Sequence, residues 1–151
     1  NLRSYKHKVI LDLNVGGLKY INLLGTKGIT SENTIKSDSL FVEGIDSHGD
    51  VTLSFEGNHI ATIFHSGTCN VNISGTSNSS YAYQISNGYT NYSSLIVNDC
   101  HLHSRTVQDC FMYAKEKLSV NIHGSGNVYY LDNSNLILTS KIKGTGELIA
   151  Q

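Results

Sequence analysis

The stretch Asn98-Asp-Cys-His-Leu-His-Ser-Arg105 is the best local constellation of chemistry-bearing side chains. His101 and His103 are two positions apart, so on a β-strand both project from one face. Two imidazoles at that spacing can contribute to a zinc site, with Asp99 or Asp109 as the oxygen ligand. The plainer reading is a pair of exposed histidines on the solvent face of a strand. No second histidine pair has matching spacing, so no metal site is expected. Asp99, Arg105 and Asp109 are also the one set that tempts an acid–base reading. Carboxylates that do such work stand about 5–10 Å apart. Asp99 and Asp109 are separated by half of the repeat length found further along the chain, so they should diverge. No catalytic residue and no cofactor is expected.

A second stretch, Ser77 to Tyr92, is rich in Ser, Asn and Tyr, with Tyr81, Tyr83, Tyr89 and Tyr92. Aromatic rings beside polar hydrogen-bonding groups suit contact with a glycan or a protein. The alternative, which the alternation of Tyr81 and Tyr83 favours, is an aromatic ladder stacked in the core. The candidate ligand-contact residues are therefore Tyr89, Tyr92, His101, His103 and Arg105. Asn72, Asn78 and Asn91 each open an Asn-x-Ser sequon, which matters only in a glycosylating host. Calcium-binding rolls repeat Gly-Gly-x-Gly-x-Asp. Gly16-Gly17 lacks that continuation, and Asp46 with Asp50 is a lone pair.

The elements that must position these groups are written in a repeat. Leu118-Ser-Val-Asn-Ile-His-Gly-Ser-Gly-Asn-Val-Tyr-Tyr130 is echoed by Leu138-Thr-Ser-Lys-Ile-Lys-Gly-Thr-Gly-Glu-Leu-Ile-Ala150. Alternating apolar and polar residues around a Gly-x-Gly corner describe one coil of a β-solenoid. Val51, Leu53 and Phe55 alternate with Thr52 and Ser54, and Val71 with Ile73 repeats the pattern. Taking Ile29, Val51, Val71, Tyr92, Phe111, Val128 and Leu148 as equivalent gives spacings of 22, 20, 21, 19, 17 and 20. A coil near twenty residues holds about three short strands, and seven such coils make a rod roughly 30 Å long. The expected interior is Val51, Leu53, Val71, Ile73, Leu102, Phe111, Tyr113, Leu118, Val120, Ile122, Val128, Ile142 and Leu148. Further strands are expected at His7 to Leu13 and Leu18 to Leu24.

The Gly124-Ser-Gly126 corner is followed by the β run Asn127-Val-Tyr-Tyr130 instead of a helix. A phosphate cradle needs a helix N-terminus there, so the glycines are read as corner residues that turn the chain or leave room for the coil above. Composition agrees. The chain has 151 residues with a formal charge of −1, and its 11 Lys plus Arg include only Arg3 and Arg105 as arginines. That balance does not point to nucleic acid or an anionic membrane. Pro, which removes a ladder donor, is absent. No stretch of about 18 apolar residues could span a bilayer. Cys69, Cys100 and Cys110 are too few and too odd in number for a disulfide framework. Cys100 and Cys110, half a coil apart, should face different ways and be buried thiols. The chain begins at Asn1 and is expected to be a processed or excised piece, one β-helix domain over 1–151 lacking its N-terminal portion.

The Leu118–Tyr130 run, with Gly144-Thr-Gly146 behind it, resembles the "Putative auto-transporter adhesin, head GIN domain", a domain of unknown function common in Bacteroidetes bacteria. The family's Leu-x-Val-x-Ile-x-Gly-Ser-Gly-x-Val-Tyr-Tyr run is matched at Leu118–Tyr130 and its final Gly-Ser-Gly-x-Leu at Gly144–Leu148. Its Gly-Asn-Pro turn is not, since this chain has Leu131-Asp-Asn-Ser134. Thr34 to Leu40 and Gly49 to Leu53 also look like family segments. The resemblance implies a single-stranded right-handed parallel β-helix, all-β, on a secreted or lipid-anchored surface protein, extracellular, at the outer-membrane surface or periplasmic. It implies no catalytic residues. The expected function is a non-enzymatic, adhesin-like binding or scaffold protein whose partner is a glycan or a host or cell-surface protein. The runner-up is a polysaccharide lyase or hydrolase on the same fold. The open first coil is expected to pair with a second copy, giving a homodimer.

Overall fold

The structure, a computed structural model, describes residues 16–151. They form twelve strands and no helix: β1 (Tyr20–Gly25), β2 (Ile29–Thr30), β3 (Ile35–Lys36), β4 (Ser39–Ser47), β5 (Val51–Phe64), β6 (Val71–Gln84), β7 (Thr90–Ser104), β8 (Cys110–Met112), β9 (Lys117–Ile122), β10 (Val128–Tyr130), β11 (Ile137–Ile142) and β12 (Leu148–Ala150). Every strand pairing among them is parallel. Parallel neighbours need a crossover, and with no helix to carry it the chain must wind, each turn lying on the last. The result is a β-solenoid of about seven turns. Strands β5 and β6 each bend once: Val51–Gly57 pairs with Val71–Ser77, Asn58 drops out at the corner, and His59–Phe64 pairs with Ser79–Gln84.

The repeat is seen directly in the register. Leu118 pairs with Leu138 and Ile122 with Ile142, and Val128 lies beside Leu148. The column begins as expected, Ile29 beside Val51 and Val51 beside Val71. It then departs from expectation. The partner of Val71 is Thr90, not Tyr92, and the partner of Val128 is Cys110, not Phe111. The next coil is one residue shorter and a later one two shorter, and a one-residue slip reverses every side chain. Phe111 and Tyr113 therefore point outward, while Cys110, Met112 and Ala114 face the core. Ile142 is corrected too. It continues the Ile122 column but sits in the last described coil and is 49% exposed.

Of the expected interior, Val51, Leu53, Val71, Ile73, Leu102, Leu118, Val120, Ile122 and Val128 are buried, joined by Leu40, Val42, Phe55, Ile60, Phe64 and Leu95. Each such side chain gains about 1.5–3 kcal/mol by leaving water, and only because a neighbouring coil covers it. The three cysteines are buried free thiols. Burial pushes Cys69 and Cys100 up to about 12 and Cys110 to about 11.

Gly124 and Gly126 serve by absence of bulk. A Cβ on Gly124 would strike the Thr106 carbonyl oxygen, and one on Gly126 that of Gln108. Gly144 and Gly146 meet the Gly124 and Gly126 carbonyls in the same way. The Gly-x-Gly corner is where backbone lies on backbone.

The interior also holds polar groups. The buried Gln84 Nε2 lies 3.1 Å from the Cys69 carbonyl, 2.6 Å from Ser86 Oγ and 3.1 Å from the Gly88 carbonyl, while Thr90 Oγ1 donates to Gln84 Oε1 at 3.2 Å. Thr106 Oγ1 donates to the Gly88 carbonyl at 2.8 Å. Outside, polar residues one coil apart join hands: Asn58 donates to Asp38 at 2.6 Å, Asn70 to Asp50 at 3.0 Å and Asn98 to Asn78 at 3.0 Å.

Candidate functional site

The two halves of a coil carry the candidate residues to different places. His101 and His103 stand on the later half of β7, as their spacing requires, with Leu102 buried between them. Their columns are set by pairing: Tyr81, His101 and Ser119 in one, Tyr83, His103 and Asn121 in the next. Tyr81 and Tyr83 are therefore not core residues. They flank the buried Ala82 and form their ladder on the outside, half-buried.

The ladder is continuous. Tyr81 stacks on His101 with ring centroids 5.3 Å apart, Tyr83 lies 4.8 Å from His103, and His103 stacks on His123 at 4.8 Å. Tyr81 and Tyr83 are 6.5 Å apart along β6, and His65 meets Tyr83 edge-on at 5.8 Å. The rings of this ladder present their faces to one another. Asn121 Nδ2 lies 3.4 Å from His101 Nε2.

His123 belongs to this surface although the sequence pattern did not single it out. Its N–H donates to the Ser104 carbonyl, as that of Arg105 does to Gln84 and that of Lys143 to Ile122. Because Gln84, Ser104, Ile122 and Ile142 form one column, Arg105, His123 and Lys143 form another just beyond it. The signal was available once Arg105 and Lys143 were placed one coil to either side. Burial holds His101 below the ordinary histidine range. Burial, then the charges of His123, Arg105 and His101, does the same to His103. Desolvation, then Lys143, Arg105 and Lys141, lowers His123.

The remaining candidates lie elsewhere. Tyr92 is withdrawn as a ligand contact, because it is fully buried and shares a 2.7 Å hydrogen bond with Thr62. Tyr89 lines a shallow cavity of about 400 Å³ with Asn91, Val107, Gln108, Asp109 and Phe111. Its hydroxyl accepts from Asn72 Nδ2 at 3.3 Å. Phe111 stacks on Tyr129 at 5.2 Å beside it. Asp99 is engaged by Lys117 at 3.6 Å, and Asp109 accepts the Asn127 N–H at 2.9 Å. The two carboxylates thus have separate partners on different stretches of the coil, with Asp99 Oδ1 buried and without a hydrogen-bond partner among the described residues. Among the described residues no group of three or more His, Cys, Asp or Glu side chains is placed to hold a metal ion. The strand expected at His7 to Leu13, and with it part of the N-terminal pairing surface, lies outside the described residues.

Residues 1–134 match the family model described as "Putative auto-transporter adhesin, head GIN domain". No curated protein and no solved structure matches the chain.

Proposed function

The chain belongs to that adhesin head-domain family, and from this premise we propose that it is a cell-surface, non-catalytic binding module. The observation that carries the reading is the Tyr81–Tyr83–His101–His103–His123 ladder, a flat outward array held in register by the solenoid. Side chains fixed by a stacked backbone lose little freedom when a partner docks, which favours binding. A shallow surface without convergent, unengaged carboxylates favours recognition over bond cleavage. A glycan or a surface protein is the partner class that suits edges rich in hydroxyl and ring nitrogen. A second copy docking through the N-terminal coil belongs to the same proposal.

Two measurements test it. Antibody labelling and protease shaving of intact producing cells should find the domain outside; protection from both sinks the surface assignment. Prolonged incubation of the purified protein with acidic and neutral glycans should leave their chain lengths unchanged. New reducing or unsaturated ends would overturn the non-catalytic assignment.

A further inference from the structure

One end of the ladder is strongly cationic. The Tyr83–His103–Asn121 column continues to Lys141. Beside it run Arg105, His123 and Lys143, each bonded to the strand end below. Five basic residues therefore occupy two adjacent columns over three successive coils, about 4.8 Å apart along the axis. Among the described residues, no carboxylate lies within 4.0 Å of any of the five. The acids near this face are spoken for. Asp99 holds Lys117, and Glu43, at the far end of the Tyr83 column, holds His65 and accepts from the Tyr20 hydroxyl. For a chain whose formal charge is −1, this is a local excess of one sign that no internal partner answers.

We infer that the face formed by His103, Arg105, His123, Lys141 and Lys143 binds an acidic glycan, a polymer of carboxylate- or sulfate-bearing sugars. The inference rests on the binding-module reading above. Arg105, Lys141 and Lys143 are permanent cations spread over three coils, and His103 and His123 between them can take up protons, which matches a ligand whose anionic groups recur along its length, not one with a single charge. The ring edges and Asn121 add hydrogen-bonding groups for sugar hydroxyls. Single-stranded nucleic acid fits less well, because bases stack on open aromatic faces and these faces are turned on one another.

Proton uptake accompanies the binding. His103 faces Tyr83, His101, His123 and Arg105, and His123 faces His103, Arg105, Lys141 and Lys143; every charged group among these is positive. That surrounding keeps both imidazoles neutral near pH 7 until an anion offsets it. A ligand that favours the protonated form must bind more tightly as pH falls.

The test uses the purified protein and surface-immobilised polygalacturonate at pH 7.5 and 5.5, at constant ionic strength. Chondroitin sulfate, a neutral glucan, polyglutamate and an oligo-thymidylate are run alongside. Affinity for polygalacturonate or chondroitin sulfate should rise severalfold over that pH step, with a ceiling of about tenfold per pH unit for each linked proton. H103Q/H123Q should abolish the rise. K141Q/K143Q, at exposed positions, should weaken binding at both pH values, and H48N, on the corner before β5, should change nothing. Circular dichroism confirms that each variant is folded. No binding to either acidic glycan, equal binding to the neutral glucan, polyglutamate or oligo-thymidylate, or binding that survives both double variants would overturn the inference. Any of those results leaves the surface-exposure and chain-length tests standing by themselves.

Discussion

Replacing Gln84 by Leu should destabilise the solenoid by about 2–6 kcal/mol, although the substitution makes the interior more apolar. Gln84 is fully buried between Phe64 on the coil below and Ser104 on the coil above. Its amide nitrogen has three acceptors in reach, the Cys69 and Gly88 carbonyls and Ser86 Oγ, and can donate to two at a time. The Gly88 carbonyl keeps its bond from Thr106 when Gln84 is gone. The Cys69 carbonyl, Ser86 and the Thr90 hydroxyl lose theirs. Each buried polar group left without a partner costs about 1–3 kcal/mol. Hydroxyl rotation recovers part of that, which leaves roughly two groups uncompensated. Leu is close to Gln in volume, so little of the effect comes from a cavity. Urea denaturation followed by circular dichroism measures it. Hydrogen exchange at the Thr90 and Thr106 amides reads the same corner locally, which matters if the coils unfold one after another. A Leu variant within about 0.5 kcal/mol of the parent, with exchange unchanged, would refute the reasoning, because buried partners would then be losing nothing.

Other expectations follow from single features. Gly126→Ala should cost about 1–3 kcal/mol, the usual penalty for overpacking, because its Cβ meets Gln108 backbone that cannot swing away. Gly25→Ala, where no atom of the described residues lies within 4 Å of the added Cβ but φ is +85°, should cost by backbone strain and not by contact; a Gly126→Ala variant as stable as the parent would defeat the steric account. All three cysteines should resist iodoacetamide at pH 8 in the folded protein and react once it is unfolded, since burial holds each thiol well above that pH; rapid labelling of any one counts against its placement. His101, His103 and His123 have folded-state pKa values below the unfolded value. Their contribution to stability is therefore present above about pH 6.5 and is lost as pH falls through the depressed folded values. Chemical denaturation at pH 7.5 and 5 should show the decline and H103Q/H123Q should flatten it; identical slopes would exclude it.

The winding itself is legible from Leu118 and Leu138, which are register partners one coil apart, although Leu118 is buried and Leu138, in the last described coil, is exposed. Thr90 and Cys110, not Tyr92 and Phe111, continue the Val71 column, because the coils are of unequal length. Tyr92 lies two positions along and is still inside, whereas Phe111 lies one position along and faces outward, so size alone does not mark the interior. A hydrophobic pattern also cannot see Gln84 and Thr106, whose burial is met by the Cys69 and Gly88 carbonyls brought near by the corner. At the candidate site, the histidine pair on β7 was legible from its spacing. His123 was not, because it sits beyond Ile122 in a corner where alternation stops and only the correct coil length aligns it with Arg105.

The one-coil partnership of Asp38 with Asn58, Asp50 with Asn70 and Asn78 with Asn98 has a consequence for how such a chain can change in length. Duplicating a whole period, residues 58–77 for instance, returns every following side chain to the neighbour type it had, so the gene can grow by complete windings without redesign. Adding an odd number of residues within a strand exchanges its inside for its outside from that point to the end of the strand. Whole windings are therefore the unit by which such a chain lengthens with its contacts intact, and departures from it belong at the corners.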